Sequence, residues 1–124
     1  MSLVDPSAAE ERKEQMYRRL GDRNAVCVIC GEDDPRCLQL HHVAGRRFAD
    51  DVLPVCGNCH AKLSDGQRDH PVSIDGFDTE VLKQVRMKLG QAQMLRALAD
   101  QLDAEAANLF TQEINQIGGN SNGP

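Results

Sequence analysis

Two C-x-x-C pairs, Cys27/Cys30 and Cys56/Cys59, constrain this chain more than any other feature. Each pair can grip one metal ion from a tight knuckle, and two pairs complete a tetrahedron of sulfur. Zn²⁺ favours such a set. The spacing predicts a structural zinc at these four residues. The fifth cysteine, Cys37, makes the count odd, and an odd count fits metal binding better than a disulfide framework. Cys37 itself is read as a small, buried apolar residue.

The rest of the composition explains why a metal would matter. The chain has 124 residues, enough for one small domain with appendages. Three Phe, one Tyr and no Trp cannot build a large aromatic core. A metal would then supply folding energy that side-chain packing cannot. No apolar run approaches the roughly 18 residues that span a bilayer. The N-terminus lacks a basic segment followed by an apolar one, so the expected location is intracellular, in the cytoplasm. The net charge of −5 removes any global attraction for nucleic acid. A DNA partner would need a local basic patch.

Four segments follow from the pattern. Residues 1–24 form an N-terminal helical extension, with a helix from about Pro6 to Leu20 capped by Asp5 and stopped by Gly21. Residues 25–77 form a zinc module. Its runs AVCVIC, CLQLHHV and VLPVC read as short strands, followed by a helix from about Gly57 to Ser64 that Asp65-Gly66 and His70-Pro71 end. Residues 78–117 form a long helix capped by Asp78. Its apolar stripe runs through Leu82, Val85, Leu89, Ala92, Leu95, Leu98, Leu102, Ala106 and Leu109, with Gly90 as a weak point. Residues 118–124 read as a disordered tail. The expected class is α+β, a small core flanked by two helices.

Three of the four histidines lie among the cysteines. His41 and His42 are adjacent at the end of one expected strand, and His60 follows Cys59 directly. His70, before Pro71, reads as a surface residue. Neutral imidazole is a good ligand for borderline metals, and its ordinary pKa near 6.5 suits a general base.

The run Cys27-x-x-Cys30, His41-His42-Val43, and Leu53-Pro54-Val55-Cys56-Gly57-Asn58-Cys59-His60 resembles the HNH endonuclease family. The resemblance covers about Cys27 to Ser64, less than a third of the chain. It implies a ββα-metal core, in which two strands and a helix surround a catalytic divalent ion. It further implies that His41 and His60 hold that ion and that His42 is the general base. At the position of the family's Asn this chain carries Asp51, which would accept a hydrogen bond from the His42 ring and hold its tautomer. Two imidazoles suit Mn²⁺, Ni²⁺, Co²⁺ or Zn²⁺ better than Mg²⁺. In a regular strand His41 and His42 face opposite ways, so the strand must bend or end there for both to serve one site.

Arg46 and Arg47 follow the doublet, and Lys62 lies two residues past His60. These three are the expected phosphate contacts to DNA. The long stripe of the C-terminal helix is core or a homodimer seam. Two other functions stay open: a non-catalytic zinc-binding module for DNA or protein contact, and a dimerising helical interaction protein.

Overall fold

Asp5 starts the first helix, α1 (Pro6–Leu20). Its carboxylate accepts from the Ser7 amide at 2.9 Å, which satisfies one of the amides a helix N-terminus leaves free. Gly21 ends the helix at φ 75°, where its amide donates to the Tyr17 carbonyl. The computed structural model describes residues 3–121, with side chains through residue 118. After α1 come a 3₁₀ turn (Pro35–Cys37), β1 (Leu38–His42), β2 (Val52–Cys56), α2 (Gly57–Gln67) and α3 (Thr79–Ser121). The class is α+β, with three α-helices and one two-stranded antiparallel sheet among the described residues.

The strands pair with Leu38 opposite Cys56 and His42 opposite Val52. This register sets His42 at the turn end of the hairpin and Cys56 at its open end, where α2 starts. One core forms where every element contributes: Leu20 from α1, Leu38 from β1, Val55 from β2, Leu63 from α2 and Met94 from α3. Ala25, Cys27 and Ile29 complete it from the loop between α1 and the sheet. None of the described helices is long and apolar enough to cross a membrane.

Several expectations need correction. AVCVIC is not a strand. Cys27 must turn the chain so that the following amides reach back, and Gly31 donates to the Cys27 carbonyl at 2.9 Å. Cys37 is exposed, because it closes the 3₁₀ turn rather than entering the core. α2 runs on to Gln67, because Gly66 is a packing point and not a stop. A Cβ there would meet the Gln93 amide of α3 at 2.3 Å. His70 is half-buried, since α3 covers the segment that carries it. α3 continues through Gly118 to Ser121, where the expected disordered tail began. A helix tolerates glycine near its end at about 1 kcal/mol per residue. Residues 122–124 of that tail lie outside the described residues.

The largest correction concerns α3. Asp78 caps it as expected, accepting from the amides of Glu80 and Val81. The buried line, however, runs through Leu82, Arg86, Gly90 and Met94 in steps of four. Leu95 and Leu102, both on the expected stripe, are exposed. Backbone proximity selects the buried face. A Cβ on Gly90 would lie 1.8 Å from the Val43 carbonyl oxygen, so only glycine lets the helix axis come this close to the turn after β1.

Arg86 fixes the same contact. It is buried, with 4% of its surface exposed. Its Nε donates to the Ala44 carbonyl at 2.8 Å, and one terminal nitrogen donates to the carbonyls of His70 and Pro71 at 3.2 Å each. Its guanidinium carbon sits 4.2 Å from the centre of the Phe48 ring. Carbonyls and an aromatic face take the place of a carboxylate here. Burial, and then Arg47, lower its pKa from the ordinary arginine value.

Candidate functional site

The sulfurs of Cys27, Cys30, Cys56 and Cys59 all lie within 4.8 Å of one another, so these four residues could hold a metal such as zinc. Local geometry explains how. Each knuckle folds the amide three residues on toward its first sulfur: Cys30 N to Cys27 Sγ at 3.5 Å, and Cys59 N to Cys56 Sγ at 3.4 Å. Cys56 also serves as the N-cap of α2. Cys30 Sγ and Cys56 Sγ stand 3.6 Å apart. Tetrahedral Zn–S bonds near 2.3 Å imply sulfur separations of roughly 3.8 Å.

The thiols differ in acidity. Burial pushes Cys27 up, but amide hydrogen bonds from Cys30, Cys56 and Ile29 outweigh it and bring the thiol down to about 7. At Cys30 the Glu32 amide lowers the pKa, yet burial and hydrogen bonds with Cys27 and Cys56 leave it raised. Burial pushes Cys59 up, and hydrogen bonds with Cys56 and Cys27 add to this. One thiolate therefore forms readily and opposes the rest, which is the situation a divalent cation relieves.

Next to the sulfur cluster, β1 and α2 bring two histidines together. His41 is the fourth residue of β1, and His60 lies in the first turn of α2. Their ring centroids are 5.6 Å apart at 79°, edge to face. His41 is 1% exposed. Burial, then the neighbouring His60 and His42, hold its pKa down to about 4, so its ring is neutral at pH 7 and keeps a lone pair for a ligand.

Gln67, in the last turn of α2, ties this pair to the end of β1. Its amide nitrogen donates to the carbonyls of His42 at 2.9 Å and Val43 at 3.1 Å, and lies 3.5 Å from His41 Nε2. Both hydrogens of that amide are taken by the two carbonyls, so the longer contact to His41 Nε2 leaves the ring's tautomer open. On the same face of α2, Ser64 Oγ lies 3.5 Å from His60 Nε2.

The other sequence-derived residues fall as follows. His42 is half-buried as the last residue of β1, close enough for its charge to be felt at His41. The chain turns directly after it, where Gly45 donates to the His42 carbonyl at 3.1 Å. Arg46 and Arg47 are exposed on that turn. Asp51 lies across the turn from the histidine doublet, where its carbonyl accepts from the Val43 amide at 3.1 Å. It lines a groove of about 530 Å³ with Val43, Leu53, Met87 and Met94, and among the described residues its carboxylate has no hydrogen bond to His42. Lys62 is roughly 200° round α2 from His60 at 3.6 residues per turn. It lines a groove with Cys59, Arg96 and Asp100 instead.

Gln67, Arg86 and Gly90 carry positioning roles that the sequence reading did not assign. Gln67 was legible in principle, three residues past Ser64 and seven past His60 on one helical line. For Arg86 and Gly90 the signal was the step of four from Leu82 to Met94. Compared with protein-family models, curated proteins and solved structures, the chain matches none.

Proposed function

We propose that this chain is a metal-dependent endonuclease of the HNH type, hydrolysing DNA phosphodiester bonds beside a structural zinc. The observation that carries the reading is the pair His41 and His60, with ring centroids 5.6 Å apart, one near the end of the first hairpin strand and the other in the first turn of the helix after the second. A neutral, buried His41 facing a second imidazole is a donor set that suits Mn²⁺, Ni²⁺, Co²⁺ or Zn²⁺, with Mg²⁺ the weaker candidate. A divalent ion there supplies charge that polarises the scissile phosphate and steadies the departing oxygen.

The chain's own residues do the rest. His42 in its neutral form takes a proton from the attacking water. Arg46 and Arg47, exposed on the turn after β1, hold the flanking phosphates. Gln67 positions the doublet by fixing the carbonyls of His42 and Val43. Lys62 and Asp51 face other grooves, so the reading gives them no step. One observation favours the non-catalytic zinc-binding module as a second reading. Among the described residues, His41, His42 and His60 do not form a three-donor cluster as the four cysteines do.

Plasmid and single-stranded DNA incubated with each divalent ion separate the two. Under the nuclease reading wild type cuts, and His42→Ala loses about 10²- to 10⁴-fold with the fold and zinc content kept. His41→Ala and His60→Ala lose activity that excess metal partly restores. If neither wild type nor Asp51→Asn cuts with any ion, the binding module takes its place.

A further inference from the structure

Leu95, Leu102 and Leu109 stand seven residues apart on α3, and they are 67%, 55% and 67% exposed. Spacing of seven keeps them on one side of a helix. Phe110 and Ile117 border the same side and are exposed as well. The residues of α3 that touch the rest of the molecule end near Leu98 and Gln101, and residues 102–117 are exposed on every side. At 1.5 Å per residue this is an arm roughly 24 Å long with one apolar face. Among the described residues, Leu102, Leu109, Phe110, Ile114 and Ile117 of this arm are each more than half exposed, so tertiary packing gives its apolar face little support.

Two further features say what covers it. The arm carries Asp103, Glu105 and Glu113 and no Lys or Arg, whereas the docked part of α3 carries Lys83, Lys88, Arg96 and the buried Arg86 against Glu80 and Asp100. Among the described residues Lys88, Arg96 and Glu113 make no ion pair within the chain. The groove of about 530 Å³ formed by Val52, Leu53, Met87, Met94 and Leu95 also continues the apolar face, since Leu95 belongs to both.

We propose that a second copy of this chain covers the arm, with the two α3 helices antiparallel and Leu102 at the two-fold axis. Leu95 then packs on the partner's Leu109, because both lie seven residues from Leu102, and the reverse contact follows by symmetry. The partner's Phe110 and Ile117 reach the groove beside Met87 and Met94. The partner's Glu113 comes within one turn of Lys88. A parallel pair is disfavoured: it would crowd two zinc modules at one end and set Glu113, which lies close to the leucine line, against its own copy. The proposal is independent of the nuclease reading.

Sedimentation of the full, zinc-loaded chain tests it. Wild type should sediment at twice 13.7 kDa in the micromolar range. Leu102→Asp and Leu109→Asp should each weaken the dimer by roughly 10²-fold or more, since two copies of the leucine are lost from the seam. Both residues are exposed in the single chain, so zinc content should not change. Lys88→Glu and Glu113→Lys should each weaken the dimer, and the combined variant should recover most of the loss. A wild-type monomer at 100-fold higher concentration overturns the proposal. So does a dimer indifferent to Leu102→Asp and Leu109→Asp, or a combined charge variant no tighter than the single ones.

Discussion

Gly90 of α3 and Val43 after β1 meet so closely that a single added carbon would lie 1.8 Å from the Val43 carbonyl oxygen. Val43 follows the histidine doublet, so this contact sets where β1 ends relative to the long helix. On the other side, Gln67 of α2 donates to the same carbonyl. The turn that carries His42 is therefore held between two helices.

Gly90→Ala should destabilise the fold by about 2 kcal/mol or more. Overpacking against a backbone atom costs about 1–3 kcal/mol and here exceeds the roughly 1 kcal/mol that alanine contributes to a helix. Urea denaturation measures it. A stabilised variant would mean that helix and turn are not in contact.

Arg86→Met should cost about 3 kcal/mol or more. It leaves the carbonyls of Ala44, His70 and Pro71 without their donor, and each buried unsatisfied group costs about 1–3 kcal/mol. Arg86→Lys should recover little, because one ammonium cannot span those carbonyls and cover the Phe48 ring. Hydrogen exchange should show lost protection at the Gly45 and Phe48 amides, which lie in the turn that Arg86 holds.

Removal of metal tests the four cysteines. Purified protein should hold about one zinc per chain. A chelator, or Cys56→Ser, should unfold the module, because zinc binding and folding are coupled. Cys37→Ser should leave both zinc and stability unchanged, since Cys37 is exposed and lies outside the sulfur cluster. Circular dichroism with elemental analysis reads both, and folded protein without zinc would refute the assignment.

His41 gives a pH dependence with a fixed sign. Its pKa is about 4 in the folded chain against 6.5 ordinarily. Between pH 6.5 and 4 the unfolded chain takes up a proton that the folded chain refuses, so this residue lowers stability as pH falls through that window. Above pH 6.5 it contributes no slope. Ring resonances followed from pH 8 to pH 4 should show His41 neutral to below pH 5. Titration of His41 near 6.5 would mean that the ring is not buried.

The sequence alone carried the chemistry. Two C-x-x-C pairs specify a four-sulfur cluster wherever the chain brings them together, because ligand type and knuckle spacing are local. Asp5, Gly21 and Asp78 marked helix ends correctly, since capping depends on side chains one to three residues away. The strands CLQLHHV and VLPVC and the helix after them were legible from local composition, whereas the ββα core and the pairing of His41 with His60 were implied only by the family resemblance.

Tertiary structure decided what depends on distant backbone. AVCVIC has a strand's composition, yet only Val28 bonds to β2, through the Pro54 carbonyl, while the Cys30 amide turns back to the Cys27 sulfur. Periodicity showed that α3 is a helix and included the buried Leu82 and the core-packed Leu98, but it did not pick out the rest of the buried line, because leucines at steps of three and four fit several faces almost equally. The buried line was selected by close approach at Gly90 and by carbonyls that Arg86 reaches 42 residues away in the chain. Asp51 sits near His42 in the hairpin, yet it makes no hydrogen bond to His42 among the described residues and lines a groove shared with α3, a helix whose position no local pattern specifies.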